Sequence, residues 1–119
     1  MEDRTRYKQA WELASAAIEH TRPAGKPDLE YLTARLRFAV LYLDTVAAVR
    51  DAGLADKEGR ATDAIDVLEK ALVAISRAIE TYASVARDNS DRGAIAIMNE
   101  YCYRPIRDKL ADSKAGTLT

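Results

Sequence analysis

His20 and Cys102 are the single imidazole and the single thiol of this chain, and neither comes with the company that catalysis needs. A general acid or base requires a partner within hydrogen-bond reach. Spacing suggests none for His20, which is expected at the end of a helix, capping carbonyls or meeting solvent. Cys102 falls in an apolar periodicity, where a free thiol behaves as a small hydrophobe, and no base is placed beside it by the sequence. Carboxylates are plentiful, yet the Glu-x-x-His pair of di-metal bundles does not occur. The Gly-x-x-x-x-Gly-Lys, Gly-x-Gly-x-x-Gly and Cys-x-x-Cys spacings and the calcium loop do not occur either. The expected set of catalytic residues is therefore empty, with no cofactor and no metal.

Two groups of residues point to binding instead. Arg35 falls within an apolar helical arc beside Tyr31, Leu32, Phe38 and Ala39. Its plain reading is a side chain that snorkels or pairs with a carboxylate. The sharper reading is a partner-binding surface made of Tyr31, Arg35, Phe38 and Tyr42, since Tyr, Phe and Arg concentrate at interface cores. The second group is Tyr42, Tyr82, Asn99, Cys102 and Tyr103, whose hydroxyls and amide would line an interhelical pocket for a small molecule. Between them the run Arg87 to Gly93 reads as a capped, solvated turn. Within it Gly93 is expected to allow a close backbone approach, and Arg92 and Arg104 to pair with Asp88, Asp91 or Glu100.

The elements that must position these residues are helices. Tyr7, Ala10, Trp11, Ala14, Ala17 and Ile18 recur at the spacing of one helical face, which predicts a first helix from about Arg4 to Thr21, stopped by Pro23. A second is expected from an Asp28 N-cap to about Ala52, with Gly53 as left-handed C-cap. Its apolar arc is roughly 200° wide, against the usual ~100°, so it must touch two neighbours or face another subunit. The third, from about Glu58 to Arg87, carries Ile65, Leu68, Leu72, Ile75, Ile79 and Tyr82 in alternating steps of four and three. Asn89 is expected as its left-handed cap and Ser90 as the next N-cap. The fourth begins near Asp91 with Ile95, Met98, Cys102, Ile106 and Leu110 inward, is kinked near Pro105, and frays from about Ser113 to Thr119. The segment from Asp56 to Leu72 has the look of a tetratricopeptide helix, but no second copy follows at that period.

The sum is one all-α domain over residues 1–119, an antiparallel up-down-up-down four-helix bundle with long second and third helices. With 119 residues there is no room for separate catalytic and cofactor domains. Lys and Arg number 18 against 19 Asp and Glu, for a net charge of -1, too balanced to draw nucleic acid or an anionic membrane by bulk field. No apolar run of ~18 residues occurs, and the charged start Met1 to Arg6 lacks a signal-peptide core. A free-standing chain of this kind is expected in the cytoplasm; as a module of a longer exported protein it would follow its parent. The stretch from Tyr82 to Ala96, with Asn99, Glu100, Tyr101, Tyr103, Arg104 and Pro105, resembles helical segments that follow the catalytic barrel of large bacterial carbohydrate-active enzymes. That resemblance implies an accessory module packed on a neighbouring domain and carries over no active-site residue. The functional expectation is a non-enzymatic module for protein–protein or interdomain contact, a homodimer or a partner complex. A small-molecule-binding bundle or minor enzyme with the tyrosine and asparagine pocket is the alternative.

Overall fold

A computed structural model describes residues 2–118, with side chains through Gly116; Met1 and Thr119, at the two ends of the expected domain, lie outside them. It is all-helical, with no strand among the described residues. Helix α1 runs Glu2–Ile18, and a single 3-10 turn at Pro23–Gly25 leads into α2, Lys26–Lys57. Helix α3 is Ala61–Ala83. The fourth rod is α4, Asn89–Met98, a π-helical turn at Asn99–Tyr103, and α5, Arg104–Leu118.

Several expected boundaries move, each for a local reason. The second helix passes straight through Gly53, where a Cβ would meet nothing within 4 Å, and ends at Lys57, five residues beyond the expected Ala52. The left-handed glycine is Gly59, at φ 79°, and Arg60 N–H bonds back to the Ala55 carbonyl at 2.8 Å. Asp28 is not the N-cap: Lys26 and Pro27 already open α2, where proline's missing N–H costs nothing. The third helix is correspondingly shorter than expected, starting at Ala61 and ending at Ala83. Asn89 does not adopt positive φ, and no non-glycine among the described residues does. Asp88, rather than Ser90, caps α4, its carboxylate accepting from the Asp91 N–H at 2.9 Å. The chain is helical through Leu118, and Lys114 there meets Glu69 at 2.7 Å.

Alanine sets how closely the central pair packs. Ala52, Ala55, Ala64, Ala71 and Ala78 are all buried between or beside α2 and α3, and among the described residues only Ile75 and Val40 are large side chains with almost no exposure. Ile106 and Leu110 of α5 complete this core on the α3 side. Val40 and Ala14 are buried where α1 lies on α2, a contact braced by an Arg4–Asp44 ion pair at 2.5 Å and by Arg37 over the Trp11 ring at 4.6 Å. Helix α1 packs on α2 alone, whereas α4, the π turn and α5 pack their backbones on α3. The array measures 58 × 30 × 17 Å, with a radius of gyration of 16.8 Å. A compact chain of this length would have about 13.5 Å; this one is a slab.

Candidate functional site

The polar centre of the molecule is Asp91, which is 4% exposed. It sits in the first turn of α4, where the helix dipole favours an anion. Its Oδ1 accepts from the Tyr31 hydroxyl at 2.6 Å and from the Tyr82 hydroxyl at 2.8 Å, and its Oδ2 from the Arg87 backbone N–H at 2.9 Å. One carboxylate thereby ties α2, α3 and the α3–α4 turn together. Donation from Tyr31, the Arg87 backbone and Tyr82 holds this carboxyl down at about 2, against an ordinary 3.8. The same bonds raise both phenols: Tyr82 goes up to about 12, through its bond to Asp91 and through burial, and Tyr31 also rises. Arg87 lies over the Tyr31 ring at 4.1 Å while donating to the Pro27 carbonyl at 3.0 Å and to Asp28 at 2.9 Å.

Beside this knot lies a crevice of about 200 Å³ lined by Arg35, Phe38, Ile79, Tyr82, Ala94, Ile95 and Met98. Phe38 meets Tyr82 edge to face at 5.3 Å and stacks on Tyr42 at 6.1 Å. Arg35 is exposed at the mouth, 5.6 Å from the Tyr31 ring, and forms no ion pair among the described residues.

The two sequence-derived groups are thus redistributed. Tyr31 and Phe38 turn inward to Asp91 and Tyr82, Tyr42 packs half-buried against the core, and Arg35 stays exposed at the edge of the same region. Tyr82 joins them from the second group. Asn99 is exposed, Cys102 is half-buried with its thiol against Met98 Sδ at 3.8 Å, and Tyr103 packs on the core under Arg107. These three stand apart from the crevice lining, and burial pushes the Cys102 thiol up. His20 is exposed, its backbone N–H closing the end of α1 on Ala17. Gly93 makes no close approach, since a Cβ there would meet nothing within 4 Å. Arg104 pairs with Glu100 at 2.8 Å as expected, but Arg92 bonds Asn89 instead of an aspartate.

The sequence names Asp91 only as a helix start and an ion-pair partner, though its spacing from Asp88 signals more. Asp88 and Asp91 stand three apart at a helix start, the spacing of a capping box, in which the later side chain reaches back to a backbone N–H. A wider groove of about 840 Å³ between α2 and α3, lined in part by Leu41, Ala48, Val67 and Ala74, opens beside the N-terminal end of α1. No group of three metal-ligating side chains occurs among the described residues, and no described helix is long and apolar enough to cross a membrane. Comparison with protein-family models, with curated proteins and with solved structures finds no match to this chain.

Proposed function

We propose that this chain is a helical interaction module that pairs with a second copy of itself through the outer face of α2. The observation that carries the reading is a seam. Leu32, Arg35, Ala39, Tyr42, Val46, Val49 and Gly53 step by three and four along α2, the spacing of a coiled-coil contact line. Leu32, Val46 and Val49 on it are 50, 37 and 41% exposed. Helix α1 and helix α3 take other sides of α2, which leaves Leu32, Arg35, Val46, Val49 and Gly53 exposed, with Ala39 and Tyr42 half-buried between them. Such a stripe is self-complementary when two copies run oppositely: Tyr42 then faces Val46 of the second copy and Ala39 faces Val49. Arg35 crosses Gly53, which leaves room for it, and reaches toward Asp56 one turn on. Pairing would double a thin slab and cover its apolar side. The closed up-down-up-down bundle and the bend near Pro105 belong to this reading as well, with the second copy supplying the packing that α1 and the fourth rod do not give each other.

Sedimentation equilibrium tests it. The wild-type chain is expected to show a concentration-dependent dimer. Val46→Glu is expected to weaken it at least tenfold with melting unchanged, because Val46 is exposed in the monomer. Asp56→Lys should weaken it less. A wild-type chain that stays monomeric to millimolar concentration overturns the proposal.

A further inference from the structure

The crevice beside Asp91 shares Arg35 with the α2 seam but has a chemical bias of its own. Its walls are Phe38, Ile79, Ala94, Ile95 and Met98 with the Tyr82 ring, and its single charged member is the Arg35 guanidinium at the mouth. The Tyr82 hydroxyl is already committed to Asp91. Any guest therefore meets apolar and aromatic surface inside and one cation at the rim. Arg35 has five N–H donors in a planar fork, and among the described residues no carboxylate bonds to them. Asp91 feels the Arg35 charge but accepts its hydrogen bonds from Tyr31, Tyr82 and the Arg87 N–H and none from the fork. At about 200 Å³ the space falls below the ~300–1,000 Å³ typical of sites for drug-sized ligands, so the guest must be small.

We infer that this crevice binds a small monocarboxylate with a compact apolar body, an aromatic acid or a short branched aliphatic acid, with the carboxylate on Arg35 and the body against Ile79, Ile95 and Met98. A methyl group of Met98 adapts to either shape. A dicarboxylate is disfavoured, because its second charge would enter apolar surface without a partner.

The test is a titration of the full chain with benzoate and, separately, benzamide, read by methyl NMR of isoleucine and methionine. Saturable shifts confined to Ile79, Ile95 and Met98, with benzamide at least tenfold weaker, are expected from a charge-assisted bond. Arg35→Gln should reduce the benzoate preference to less than twofold while melting stays unchanged. Ala94→Trp, which fills the crevice, should abolish the shifts for both probes. Shifts that do not saturate, that appear at other methyls, or that keep the benzoate preference in Arg35→Gln each overturn the inference. Loss of dimer in Val46→Glu with benzoate binding retained separates it from the α2 reading.

Discussion

Asp91 is where single-residue chemistry decides most in this fold. Replacing it with Ala strands two phenol hydroxyls and one backbone N–H, and an unsatisfied buried donor costs about 1–3 kcal/mol. Asp91→Asn should cost less, because the amide oxygen still accepts, and it makes the pH dependence readable. The folded-state carboxyl sits near 2 and the unfolded one near 3.8, so its contribution is complete above about pH 4 and fades as pH falls toward 2. The melting-temperature gap between wild type and Asp91→Asn is accordingly expected to be constant from pH 5 to 7 and to close between pH 4 and 2. At the alkaline end the sign reverses. Tyr82 titrates near 12 rather than 10, so what it contributes is kept below pH 10 and lost as pH rises through 12. The glycines make a second contrast. Gly93 has ordinary helical backbone and open space around it, so Gly93→Ala should stabilise by ~1 kcal/mol. Gly59→Ala should do the reverse, because φ of 79° strains any side chain. Chemical denaturation of the two variants measures both signs.

Among the elements, periodicity was the dependable guide. Leu68 and Ile75 of α3 and Ile106 and Leu110 of α5 are buried as their spacing predicts, whereas Ile65, Leu72 and Ile79 of the same stripe are half-buried and Ala71 and Ala78 beside it take the deepest places. Ends were harder, because glycine has two uses. Gly53 reads as the stop signal and Gly59 falls inside the expected third helix, whereas burial of Ala55 within α2 carries the helix past the first glycine to the second. The candidate site was legible residue by residue but not as a grouping: Tyr31, Arg35, Phe38 and Tyr82 were all singled out, yet their meeting depends on how α2 and α4 sit about α3, which no local pattern encodes. The π turn left a clearer trace. Met98, Cys102, Ile106 and Leu110 are spaced four apart, and at ~100° per residue such a row drifts by about 120° around a plain α-helix. One residue absorbed at Asn99–Tyr103 cuts the drift to about 20° and sets the row in line on α3. It also suits Pro105, since the Arg104 N–H reaches back five residues to Asn99 just before a residue with no N–H to give. Deleting Glu100 should therefore only close the π turn into plain α-helix and leave Ile106 and Leu110 facing α3, whereas inserting one alanine after Tyr103 should swing them off α3 by about 100°. The expected readout of the insertion is a loss of several kcal/mol in urea, together with release of the Lys114–Glu69 contact.

At the scale of the whole molecule, what matters is that the slab is assembled in series. Helix α1 leans on α2, α2 on α3, and α3 on the fourth rod, with side chains rather than backbone bridging α2 to α4. Neighbours along the chain are neighbours in space, as in a solenoid, where stability is roughly a sum over adjoining units. Such a molecule can lose an outer plank without collapsing. A chain beginning at Lys26 is expected to keep the circular-dichroism signal of its remaining helices and to melt at a lower temperature, because Val40 loses its cover. Few contacts wait on distant chain ends, so ordering should complete on the fast side for a chain of this size. Stopped-flow refolding would register a single quick phase, and the polypeptide could acquire its shape plank by plank as it leaves the ribosome.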